Sequence, residues 1–79
     1  MLLQPESLRV LKLNLAQRVA IARRRAGLTQ LQLAHAAELS RATVHLIEAG
    51  ISDPRLSTIT RLADALQIDT LELLARENS

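Results

Sequence analysis

Thr29-Gln30-Leu31-Gln32 and Ser40-Arg41-Ala42-Thr43 are two helix-start signals standing eleven positions apart. In the first, a threonine precedes a glutamine by three. That is the spacing of a capping box, in which the Thr hydroxyl accepts an early backbone N–H and the Gln side chain reaches back. Leu33-Ala34, Ala37, Leu39, Val44 and Ile47 supply the apolar positions around the two signals. Eleven residues hold about two helical turns and a tight connection, so this stretch reads as two short helices meeting at an angle.

The rest of the chain agrees with a helical reading. Seventy-nine residues make one domain, and a single core of that size supplies only about 3 to 5 kcal/mol unless something adds to it. The apolar set is Leu, Ile, Val and Ala, with no Phe, Tyr or Trp and only two Gly and two Pro. This composition favours helix over strand, and the fold class expected is all-α. Without Cys there are no disulfides and no thiolate metal sites, which suits a reducing compartment. No apolar run approaches the roughly 18 residues of a membrane span, and the Leu2-Leu3 start lacks the apolar stretch and cleavage site of a secretory signal. A cytoplasmic protein is expected.

Caps place five helices. Asn14 followed by Gln17 has capping-box spacing, so helix 1 is expected from about residue 15 to Ala26, with Leu15, Val19, Ala22 and Ala26 facing the core and Gly27 ending it. Helix 2 starts at Thr29, buries Leu33 and Ala34, and ends near Ala37. Helix 3 runs from Ser40 to about Ala49, with Val44 and Ile47 inward and Gly50 as its stop. Leu56, Ile59, Leu62, Ala63 and Leu66 mark helix 4 after Asp53-Pro54, and Asp69 with Glu72 opens a short helix 5 carrying Leu73 and Leu74. The layout divides the chain into an extension at 1–13, a domain at 14–75 and a tail at 76–79.

Short helix, tight turn and second short helix form a helix-turn-helix, a device that can place its second helix in the DNA major groove. The charge distribution is compatible with that use. Residues 1–50 carry seven basic and three acidic side chains, a balance of +4, whereas residues 51–79 carry a balance of −2. A positive half containing the motif is what phosphate contact needs.

Gly27-Leu28-Thr29-Gln30, Leu33-Ala34, Ser40-Arg41-Ala42-Thr43-Val44, Ile47-Glu48, Pro54 and Leu62-Ala63-Asp64-Ala65-Leu66 resemble the Cro/C1-type helix-turn-helix family, also called the Xre family of phage-repressor-like DNA-binding domains. The resemblance covers about residues 14 to 75. It implies a compact five-helix domain in which Gln30 touches the DNA backbone, Thr29 and the N–H groups around it meet phosphate, and helix 3 is the recognition helix. It also implies a pairing of Arg23 with Glu48 that ties the motif to helix 1. A helix N-terminus favours phosphate on its own account, because it presents unpaired donors and a partial positive charge.

With Val44 and Ile47 inward, the outer face of helix 3 carries Arg41, Ala42, His45 and part of Leu46, with Ser40 and Thr43 near its start. Arg41 is the strongest base reader, since its planar fork can bond O6 and N7 of a guanine, and Ala42 and Leu46 offer apolar contact to a thymine methyl. Metal binding is not expected: His35 and His45 stand ten residues apart on different helices with no acidic or thiol partner beside them. No nucleophile stands beside a base and an orienting acid, and no Gly-rich phosphate loop occurs, so neither catalysis nor a cofactor is expected.

Two features depart from the family pattern. Glu38 stands in the turn where Gly is common, at a cost of roughly 1 kcal/mol if the left-handed conformation is kept, and Arg55 stands where a small capping residue is common. The functional expectation is a sequence-specific double-stranded DNA-binding transcriptional regulator, most simply a repressor reading a palindromic operator as a homodimer. The alternatives are an antitoxin of a toxin–antitoxin pair or a restriction–modification controller, each repressing its own operon, and, from another class, a protein-interaction module without DNA binding. Leu2, Leu3, Leu8, Val10, Leu11 and Leu13 are too many apolar residues for a free tail. With Leu71, Leu73 and Leu74 at the end of helix 5 they are expected to supply part of a dimer interface, the leading segment as a short pairing strand or as a helix opened by Pro5-Glu6; the alternative is that this segment only covers its own domain's core.

Overall fold

A computed structural model describes residues 6–75 as five helices: α1 (Glu6–Arg25), α2 (Gln30–Ala37), α3 (Arg41–Glu48), α4 (Leu56–Leu66) and α5 (Thr70–Leu74). Residues 1–5 of the expected extension and the expected tail at 76–79 lie outside the described residues. The all-α expectation holds, and five helices follow in the expected order.

The first helix corrects the sequence reading. Asn14 does not cap it, and of the two alternatives for the segment before it the strand fails and the helix holds, from Glu6 onward and continuous with helix 1. One helix of 20 residues runs through both. The physical reason is burial: Leu15, Ala16 and Val19 enter the core, and in the two turns upstream Leu8, Leu11 and Lys12 line a shallow cavity with Asp53-Pro54, Leu56, Ile59 and Leu74. Packing on two sides of Asn14 outweighs its local preference for a cap. Glu6 in the first turn and Arg23, Arg24 and Arg25 in the last complement the helix dipole. Gly27 ends the helix with φ +73, and Leu28 N donates to Arg23 O at 3.1 Å. Ala26 lies beyond the last turn and is exposed, not in the core as expected.

The remaining caps behave as local chemistry dictates. Thr29 Oγ1 accepts from Gln32 N at 3.0 Å while Gln32 Oε1 accepts from Thr29 N at 2.8 Å. Ser40 Oγ accepts from Thr43 N at 3.0 Å. At α5, Asp69 Oδ1 accepts from Leu71 N at 2.9 Å and Glu72 Oε1 from Asp69 N at 3.0 Å. Arg55 occupies the N-cap of α4 and makes no side-chain cap bond. Glu38 adopts φ 59, ψ 44, so the left-handed turn is kept without glycine, and Arg61 Nη1 donates to its carbonyl at 3.4 Å. Gln67 ends α4 in the same conformation.

Val19, Leu33, Ala34, Val44, Ile47, Leu62, Ala63 and Leu73 form the centre of one core, with Leu15, Ala37, Ile59 and Leu66 around them. Leu56, assigned to the inner face of α4 from periodicity, is 69% exposed. The C-terminal end returns to α1 through Arg18 Nε, which donates to Ala75 O at 3.0 Å.

Candidate nucleic-acid interface

The two helices of the motif are short, and each is anchored by what it buries. α2 sinks Leu33, Ala34 and Ala37, and α3 sinks Val44 and Ile47. On α3 this leaves Arg41, Ala42, His45 and Leu46 exposed on the opposite side, with Thr43 half-buried. Ser40 Oγ and Thr43 Oγ1 lie 2.8 Å apart, so these two hydroxyls cap and brace the helix start. Thr29 is exposed at the head of α2 and Gln30 is half-buried beside it. The N–H of Gln30, at the first helical position, has no intrahelical acceptor and belongs to the positive end of the helix dipole.

Behind this surface lies a small polar network. Arg23 Nε donates to Glu48 Oε2 at 2.6 Å and Arg23 Nη2 to Glu48 Oε1 at 3.0 Å, a two-pronged pair between the last turn of α1 and the last residue of α3. The side chains are 12% and 7% exposed. Arg23 Nη1 also donates to Leu28 O at 2.8 Å, fixing the connection into α2. Gln30 Nε2 donates to Glu48 Oε1 at 3.1 Å. One carboxylate therefore joins α1, the head of α2 and the tail of α3.

Burial pushes the Glu48 carboxyl up, but hydrogen bonds from Arg23 and Gln30 and the charges of Arg23 and Arg24 more than offset it, so its pKa lies below the ordinary carboxylate value. The hydrogen bond to Glu48 raises the Arg23 pKa further above its usual value, against desolvation. The Gln30–Glu48 bond was not anticipated from the sequence. Residues 18 positions apart on different helices leave no periodic trace.

Among the described residues no group of three or more His, Cys, Asp or Glu converges as a metal site, and no helix is long and apolar enough to cross a membrane. Two short capped helices with the second turned outward define a helix-turn-helix domain.

Comparison with known proteins agrees. A family model described as helix-turn-helix, HTH_3, matches residues 19–73. Among solved structures, the restriction-modification controller protein C.AhdI from Aeromonas hydrophila is 35% identical with a TM-score of 0.76, covering 78% of this chain and 94% of that one. The hypothetical transcription factor NHTF from Neisseria is 27% identical with a TM-score of 0.83, over 95% of this chain and 86% of that one. An HTH_3 family transcriptional regulator from Vibrio cholerae shares the fold at 24% identity and a TM-score of 0.80, over 84% of this chain and 37% of that one. A search of curated proteins gives no significant match. The chain belongs to the Cro/C1-type helix-turn-helix family of DNA-binding transcriptional regulators.

Proposed function

We propose that this regulator is a repressor that acts without catalysis in the cytoplasm, binding a palindromic operator as a homodimer. The observation that carries the reading is the outer face of α3, where Arg41, Ala42, His45 and Leu46 are all exposed while Val44 and Ile47 hold the helix from behind. In this reading Arg41 bonds a guanine edge, and Ala42 and Leu46 meet thymine methyls. His45 bonds a base or a phosphate. Ser40, Thr43, Thr29, Gln30 and the head of α2 set the register on phosphate. Selection of bound sites from random duplexes tests it. Enrichment of inverted half-sites about one helical turn apart is the expected result, and recovery of no enriched sequence overturns it in favour of an interaction module.

A second reading, a controller of a restriction–modification system, is favoured by the 35% identity to C.AhdI over 94% of that protein. It requires a high-affinity site upstream of the chain's own gene next to restriction or methyltransferase genes. Footprinting of that region decides, and absence of either the site or the genes removes this reading.

A further inference from the structure

α1 carries apolar side chains on two opposite sides, and the described domain buries only one of the two sets. Leu15 and Val19 are buried, and Ala22 packs on the same core. At 100° per residue, Val10, Leu13, Ala20 and Ile21 lie half a turn away with Gln17 in their midst. Val10, Leu13 and Ile21 are 39%, 54% and 45% exposed. A surface helix of a small domain ordinarily keeps that side polar, and an uncovered apolar stripe marks an interaction face. The stripe continues into a shallow groove of about 560 Å³ that reaches Glu48 and Ala49 at the end of α3. There Gly50 packs so closely on Leu13 that a Cβ would lie 3.1 Å from Leu13 Cδ2.

Charge selects the occupant. Glu6 and Arg24 fall on the same stripe at opposite ends of the helix, and both are exposed. Glu6 touches Arg9 only at 3.5 Å, with its side chain 79% exposed. A parallel pairing of two such helices would set like charge against like. An antiparallel one sets opposite charges together at both ends and also opposes the helix dipoles. A two-fold axis beside the middle of the stripe produces it, each copy using the same patch.

We propose that the Val10, Leu13, Gln17, Ala20 and Ile21 face of α1 pairs antiparallel with the same face of a second copy of this chain, bringing Glu6 against Arg24 of the partner subunit at each end. In this register Val10 lies opposite Ala20 of the partner subunit and Leu13 opposite Gln17 of the partner subunit. The proposal rests on the homodimer reading above and supplies its interface, placing the tails of the two α3 helices next to the contact.

Sedimentation equilibrium of the full chain at low salt, without DNA, tests it with Glu6→Arg, Arg24→Glu and the double variant. Both positions are exposed, and circular dichroism verifies that each variant is folded. Each dimer holds two copies of the pair, so either single reversal turns two attractions into repulsions and is expected to weaken dimerisation by roughly tenfold. The double variant restores it to within about twofold. A wild-type dimer indifferent to all three variants overturns this face and leaves the homodimer reading standing, as does a double variant no tighter than the singles. A wild-type monomer at every concentration, with or without operator duplex, overturns both and assigns the stripe to another partner or to the chain's own first residues.

Discussion

Replacing Glu48 with alanine removes one carboxylate and three hydrogen bonds, two from Arg23 at 2.6 and 3.0 Å and one from Gln30 at 3.1 Å. The larger effect is on what remains. The Arg23 guanidinium, on a side chain only 12% exposed, keeps its bond to Leu28 O but loses its counter-charge. Breaking a buried ion pair from one side costs about 3 to 5 kcal/mol, and the retained bond and residual exposure place this case near the lower end, about 3 kcal/mol. A single core of 79 residues supplies only about 3 to 5 kcal/mol, so the variant should lose most of it. Arg23→Met combined with Glu48→Leu removes both charges and keeps apolar volume. It should cost less than either single change, about 1 kcal/mol. With no Trp, Tyr or Phe in the chain, urea unfolding is followed by far-ultraviolet circular dichroism, with unchanged m-values showing that the same transition is measured. A Glu48→Ala cost below about 1 kcal/mol, or a double variant as unstable as the two single costs combined, would refute the reasoning.

Arg41→Ala should cost about 1 to 3 kcal/mol of operator affinity and relax preference at one base pair per half-site; a loss uniform over all duplexes in a binding titration assigns Arg41 to phosphate instead. If a dimer neutralises about six to eight phosphates, log K against log salt should have a slope near −5 to −7, and a slope near zero contradicts DNA as the partner. Glu38→Gly relieves the φ of 59 and should stabilise the fold by about 0.5 to 1 kcal/mol, raising Tm by several degrees in a calorimetric scan. Because the folded pKa of Glu48 is depressed, its contribution is complete above the unfolded value of about 4.3 and is lost as pH falls through the folded value. The stability gap between wild type and Glu48→Gln should therefore narrow below about pH 4, and a gap that widens there contradicts the sign.

What could be read in the sequence was the chemistry that closes within three or four residues. Thr29 with Gln32, Ser40 with Thr43, and Asp69 with Glu72 cap their helices as spacing alone requires, and Gly27 and Gly50 take the positive φ expected of helix stops. Asn14 with Gln17 has the same spacing and caps nothing. A capping motif forms only where the chain is free to leave the helix, and α1 runs on through Asn14 with Leu15, Ala16 and Val19 buried just beyond it. The left-handed end at Gln67 carried no glycine to announce it. On the candidate interface, the outward set of α3 followed from burying Val44 and Ile47. The geometry of Gln30 did not, because it depends on Glu48 arriving from another helix.

The position of Glu48 has a consequence for how such a protein can change its target. The outward residues Arg41, Ala42, His45 and Leu46 occupy the first two turns of α3, and the carboxylate that fixes the helix to its neighbours is its last residue. Anchoring and the proposed reading thus fall at different ends of an eight-residue segment. If the outward side chains read the operator as proposed, exchanging them leaves Arg23, Leu28 and Gln30 bonded as before, so new operator preferences can be acquired by substitution on one face without rebuilding the fold that presents it. A substitution at Glu48 has the opposite reach, loosening the presentation of every operator alike.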